Sequence, residues 1–289
     1  MRRYLSPLLR WGVLGATFLF LAKTLAGNWH EVRSLQLQSH ALLYCAIALG
    51  IALIAQIWSA FIWGWILASF KETPPKRWMI VTFLKNSPAK YIPGSVWHMY
   101  GRVMAAREKG IAVEPTTLSV MIEPVFTVAG ALGLALFNNE HPQYKFLSLG
   151  LVLIALHPQV LRLAWQIIRR FQGQKFQAVE MQHYPFHILL GATLFMTMRG
   201  LTFLCVVFAF TPVDWDAFRP LVSGFSFAWL LSLVIPSPGG LGVFEASALN
   251  VLSDYLTPGL LIGAVALYRF INISAEAIGA GAAFLVSEE

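Results

Sequence analysis

Ile235-Pro236-Ser237-Pro238-Gly239-Gly240-Leu241-Gly242-Val243-Phe244-Glu245-Ala246 lies inside an apolar region, where helix breakers and a carboxylate are both costly. Two prolines and three glycines within residues 236–242 cannot continue a helix, because proline removes a donor and glycine weakens the turn. Broken backbone survives in lipid only where protein or a water-filled cavity surrounds it. A glutamate just beyond such a break is a candidate functional residue. The stretch therefore reads as the tip of a re-entrant or broken helix pair over about 221–252, lining a polar cavity. An apolar loop between two spans is the plainer alternative.

The whole composition agrees with a membrane setting. The 289 residues are 57% hydrophobic and 12% charged, against about a quarter charged in soluble domains. The net charge of +7 could attract nucleic acid. Its lysines and arginines, however, sit in short clusters between apolar runs, as cytoplasmic anchors do, and no nucleic-acid motif is present. Cys45 and Cys205 lie singly in apolar runs and read as packing residues. The run after Arg2, Arg3 and Arg10 reads as a retained first helix, not a cleaved signal, since Lys23 falls where a cleavage site would be.

Taken in order, spans are expected over about 11–26, 41–70, 116–137, 146–165, 186–210 and 259–286. The stretch 79–104 differs from these. It carries Lys85, Pro88, Lys90, Pro93, Gly94, His98 and Arg102 among Phe83, Tyr91, Trp97 and Tyr100, too polar for a lipid-facing helix and too apolar for a solvated loop. A second re-entrant hairpin accounts for both properties; an amphipathic helix in the interface is the alternative. The fold expected is thus all-α and polytopic, one integral membrane domain over 1–289, with about six transmembrane helices plus two opposed hairpins. The basic loops at 71–77, 107–109 and 162–175 then share a face with both termini, which the positive-inside rule makes cytoplasmic. Hairpins entering from opposite faces are what an inverted repeat produces, with a substrate site between their tips.

The polar residues placed at membrane depth include Lys90, His98, Arg102, Glu123, Arg199, Glu245, Arg269, Asn272 and Glu276. Isolated charges there are costly, so they should pair or face water. Arg269 and Glu276 are seven residues apart, two turns along one face. Glu245 is expected to pair with Arg269 or Arg199. Ion pairs that only tie helices together are the structural alternative. The cationic excess suits an anionic head group, with arginine giving bidentate contacts to phosphate. Helix N-termini after Pro93-Gly94 and after Gly240 or Gly242 would add backbone donors. No metal-ligand spacing is present, no cofactor is expected, and no HExxH, GxSxG or paired-carboxylate motif points to an enzyme.

Pro238-Gly239-Gly240-Leu241-Gly242-Val243-Phe244-Glu245, followed by Arg269, resembles the C-terminal signature of the lysylphosphatidylglycerol synthase transmembrane-domain (flippase-like) family. Lys90-Tyr91-Ile92-Pro93-Gly94-Ser95-Val96-Trp97-His98, with Arg102 behind it, resembles that family's first motif. Many members have a glycine-glutamate pair after the first proline, where this chain has Ser95-Val96. Members fused to a soluble aminoacyl-transferase domain make and translocate lysyl-lipid; no such domain is read here, and the resemblance implies lipid translocation alone. The expected substrate-binding set is Lys90, Pro93, Gly94, Trp97, His98, Arg102, Glu123, Arg199, Gly239, Gly240, Gly242, Glu245, Arg269 and Glu276. The expected partner is a membrane phospholipid or modified lipid in a bacterial inner membrane. A second copy in a homodimer and a lipid-modifying enzyme are further candidate partners. The competing readings are an ion- or proton-coupled small-solute transporter and a non-catalytic accessory of a lipid- or glycan-modifying enzyme.

Overall fold

A computed structural model describes residues 38–91, 96–136, 150, 159, 185–235 and 242–286. Among these residues the secondary structure is entirely helical. The helices are α1 (Ala41–Ser69), α2 (Lys76–Asn86), a 3-10 turn (Ser87–Tyr91), α3 (Trp97–Glu108), α4 (Val113–Ala135), α5 (Phe186–Phe208), α6 (Trp215–Val234), α7 (Val243–Leu252) and α8 (Pro258–Val286). Four of them, α1, α4, α5 and α8, are long and apolar enough to cross a membrane. The expected spans at 11–26 and 146–165 lie outside the described residues, as do residues 92–95 and 236–241, which carry Pro93, Gly94, Gly239 and Gly240.

The ends of these helices follow from local chemistry. Proline at the first position of α8 loses no helical bond, because that N–H has no intrahelical acceptor. α1 ends with the Lys71 N–H donating to Ala68 and the Glu72 N–H to Leu67, Lys71 itself taking a φ of 66° ahead of Pro74-Pro75. α3 ends the same way on Gly110, at φ 81°. Both are Schellman closures, and only the second has the residue that adopts this conformation without strain. One boundary differs from the sequence reading. The arm expected from about 221 starts earlier, at Trp215 of α6, with Asp216 in its first turn. Acidic residues favour a helix N-terminus.

The outer surface is apolar, as lipid contact requires, while the core holds both large side chains such as Trp63, Phe126 and Phe203 and many small ones. Large apolar side chains face outward, including Leu42 and Ile54 on α1, Leu190 on α5 and Phe270, Phe284 and Leu285 on α8. Small residues fill the contacts: Ala48, Ala52, Ala55 and Ala60 of α1 and Ala264, Ala275, Ala280 and Ala283 of α8 are buried. Lipid removes the hydrophobic drive between helices, so close approach of small residues and cross-helix hydrogen bonds must hold them. Trp58 Nε1 donates to the Gly191 carbonyl (2.9 Å) and Trp63 Nε1 to Ser119 Oγ (2.9 Å), joining α1 to α5 and to α4.

The helices on either side of each break pack together, α2 with α3 and α6 with α7. Gly224 of α6 lies against Leu252 at the far end of α7, so that pair is antiparallel. α8 touches α1, α2, α5, α7 and the 3-10 turn. It runs antiparallel to α2. Arg77 at the start of α2 donates to the Val286 carbonyl (2.9 Å), while Lys85 near its end sits 4.7 Å over the Phe284 ring.

Candidate functional site

The last helix carries the polar residues that connect these parts. Arg269, Asn272 and Glu276 fall at positions i, i+3 and i+7, within a sector of roughly 60° at 3.6 residues per turn. Their chemistry reaches three different elements. Arg269 Nε donates to Glu245 Oε1 on α7, Arg199 on α5 donates to Asn272 Oδ1, and Lys90 on the 3-10 turn donates to Glu276 Oε1 at 2.5 Å. Glu276 and Asn272 are buried, 2% and 4% exposed. Asn272 Nδ2 also donates to the Tyr268 carbonyl one turn earlier (2.7 Å), which holds the amide so that its oxygen meets Arg199.

Aromatic rings insulate this face. Phe203, Phe225, Phe244 and Tyr268 form one buried cluster, with ring centroids between 5.2 and 5.9 Å apart. The Arg199 guanidinium lies 5.3 Å from the Tyr268 ring and that of Arg269 5.6 Å from Phe244. Stacking on π-faces is one reason that arginine is tolerated here.

Glu245 has two roles. Its Oε2 accepts the Gly242 N–H at 2.5 Å, which caps α7 from the third helical position, while Oε1 accepts from Arg269. Gly242 sits at φ 81°, in the left-handed region that favours glycine. A carboxylate three residues after the N-cap is the acceptor half of a capping box. Glu245→Ala removes the cap and the carboxylate bonded to the Arg269 guanidinium. It is expected to cost about 2–3 kcal/mol, read as a lowered thermal midpoint in detergent. Glu245→Gln keeps an acceptor for Gly242 and should lose less than half of that; equal losses would exclude the capping role.

A second pair lies apart from this face. Arg102 of α3, 3% exposed, bonds Glu123 of α4 at 2.5 Å. Its guanidinium is enclosed by Trp63 of α1 at 5.2 Å and Phe83 of α2 at 4.9 Å. His98, one turn before Arg102, is half-buried, and its Nδ1 has no hydrogen-bond partner among the described residues. Trp97 is exposed and meets Tyr100 edge-on at 6.3 Å.

The pairing expected of Glu245 is made with Arg269, and Arg269 and Glu276 share a face of α8. Lys90, Arg199, Gly242, Glu245, Arg269 and Glu276 gather on or beside that face, whereas Arg102 and Glu123 form a separate pair between α3 and α4. Sequence reasoning passed over Gln56 of α1, 7% exposed, whose amide nitrogen and oxygen have no partner among the described residues. The amide lies against Gly279, one turn past Glu276, close enough that a Cβ there would come within 3.3 Å of it. Its signal was a lone amide in the run Ala55-Gln56-Ile57-Trp58.

Comparison of the chain with protein-family models and with curated proteins gives no match in either.

Proposed function

We propose that this chain is a lipid translocase of the bacterial inner membrane, moving an anionic or modified lipid head group between leaflets. The reading takes six spans with cytoplasmic termini, and treats α2–α3 and α6–α7 as re-entrant hairpins with opposed tips. One observation carries it: the Arg269, Asn272 and Glu276 face of α8 bonds to elements beside both helix breaks, and Arg199 brings a further cation to it. A polar path for a head group needs such a face, and the acyl chains can remain in lipid beside it. No residue is assigned a catalytic role. The resemblance to the flippase-like family points the same way.

A proton-coupled solute transporter is the second reading; its candidate titratable groups, Glu123, Glu245 and Glu276, each bond a cation, and proton flux coupled to a soluble substrate without lipid movement would favour it.

Purified protein in liposomes should accelerate transbilayer movement of a head-group-labelled lipid. Arg269→Ala should reduce the rate at least about tenfold, the size of one lost charged hydrogen bond, with the helical spectrum unchanged. Equal rates for wild type, Arg269→Ala and protein-free vesicles would refute the proposal.

A further inference from the structure

We infer that Arg199 receives the anion of the head group and that this face selects a singly charged phosphodiester over a doubly charged phosphomonoester. The inference rests on the lipid-translocation reading and deepens it.

Charge balance is the first argument. Lys90 and Arg269 each bond a carboxylate, and so does Arg102 in its separate pair. Arg199 does not: its hydrogen-bond partner is the neutral Asn272 amide, and its other neighbours are the rings of Tyr268 and Phe195. On the face of α8 that carries Arg269, Asn272 and Glu276 there are thus three cations, Lys90, Arg199 and Arg269, and two carboxylates, Glu245 and Glu276; Arg77 and Lys85 meet α8 farther along, at Val286 and Phe284. One positive charge is left over among the described residues. Residues 92–95 and 236–241, next to this face in sequence, contain no ionisable side chain. An unbalanced charge in a low-dielectric setting is costly, so an anion of charge one is stabilised and an anion of charge two leaves an excess of its own.

Geometry is the second argument. Arg199 Nε is buried and has no hydrogen-bond partner among the described residues. A guanidinium N–H without an acceptor can donate a charge-assisted hydrogen bond to one phosphate oxygen. Glu276 Oε2 and both amide atoms of Gln56 are likewise buried without partners there. These are donors and acceptors for the uncharged part of a head group or for its bridging waters.

The test uses the purified full chain in detergent and two short-chain lipids that differ by one methyl group. Phosphatidylmethanol is a phosphodiester monoanion. Phosphatidic acid is a phosphomonoester, studied at a pH where it is doubly ionised. Wild type should bind the diester at least about tenfold more tightly, a difference of one strong polar interaction. Asn272→Asp places a carboxylate against Arg199, which neutralises the face without removing the arginine. It gains an ion pair with Arg199 but loses the Nδ2 bond to the Tyr268 carbonyl, so the chain should stay folded while diester binding weakens about tenfold or more. Glu276→Gln adds one positive charge and should move the preference toward the monoester.

Equal affinity of wild type for the two lipids overturns the inference, whatever the variants do. So does an Asn272→Asp protein that binds the diester as wild type does. Glycerophosphomethanol, without acyl chains, should bind far more weakly; binding as tight as the lipid's would make a soluble phosphate ester the ligand and overturn the lipid assignment. A protein that binds the diester through Arg199 but moves no lipid refutes translocation and leaves this site standing. Lipid movement that Asn272→Asp leaves unchanged refutes the Arg199 site alone.

Discussion

Arg102→Gln is expected to be one of the most damaging single changes in this protein, costing about 2–4 kcal/mol of stability, because it leaves the partly buried Glu123 carboxylate without its cation. Arg102 is 3% exposed and the Glu123 side chain 15%, so water can take over only part of the lost interaction. The guanidinium also contacts the faces of Trp63 and Phe83, and those contacts go with it. Arg102→Gln with Glu123→Gln should recover most of the loss, since two amides can bond each other and neither is charged. Equilibrium unfolding in mixed micelles would measure both. A double variant as unstable as the single one would show that the aromatic contacts, not the charge pair, set the cost.

The same pair separates two duties that the sequence left merged. Arg102 and Glu123 lock α3 to α4, with rings from α1 and α2 closing over them. The charges of α8 are distributed differently: each rung bonds a different element, and one cation has no carboxylate among the described residues. A pair enclosed by rings is suited to fixing a helix junction. A face with surplus charge and unsatisfied polar atoms is suited to receiving a ligand.

How much of this was readable depended on the range of the physics. The expected spans at 41–70, 116–137, 186–210 and 259–286 correspond to helices within a few residues, because an apolar run of the right length leaves the backbone few alternatives in lipid. The shared face of Arg269 and Glu276 was readable too, since helical geometry alone places residues seven apart together. The partner of Glu276 was not. Lys90 is 186 residues away and reaches it through a 3-10 turn whose position depends on the packing of α2 along α8. Glu245 shows a different limit. Its charge stood out in an apolar run, but its spacing from Gly242 was equally a capping pattern, and the structure uses it for both. Gln56 drew no notice because an amide carries no charge, although its two atoms without partners among the described residues are as informative as a charge would be.

Gly130→Ala is the smallest substitution expected to have a large effect, and its reason lies in backbone, not side chains. A Cβ at Gly130 of α4 would stand 2.8 Å from the Thr193 nitrogen and 2.9 and 3.0 Å from the carbonyl carbon and oxygen of Ala192, all on α5. Backbone atoms inside a helix cannot turn aside as the end of a side chain can, so the two helices must separate. Overpacking of this kind costs about 1–3 kcal/mol, and Gly130→Leu should exceed that range. Helix propensity offsets up to about 1 kcal/mol of this, but close contact of small residues is itself what holds helices together in lipid, so a net loss is expected. Gly133, one turn along the same helix, is an internal control: a Cβ there meets nothing within 4 Å among the described residues. Gly133→Ala should therefore be neutral or stabilising by up to about 1 kcal/mol from helix propensity. Thermal midpoints of the two alanine variants, measured side by side, should move in opposite directions or by clearly unequal amounts. Equal shifts would mean that α4 and α5 do not approach this closely. The consequence reaches the candidate site as well, since α5 carries Arg199 six residues beyond Thr193. A displaced α5 moves that guanidinium away from Asn272, so Gly130→Ala should slow lipid movement where Gly133→Ala does not.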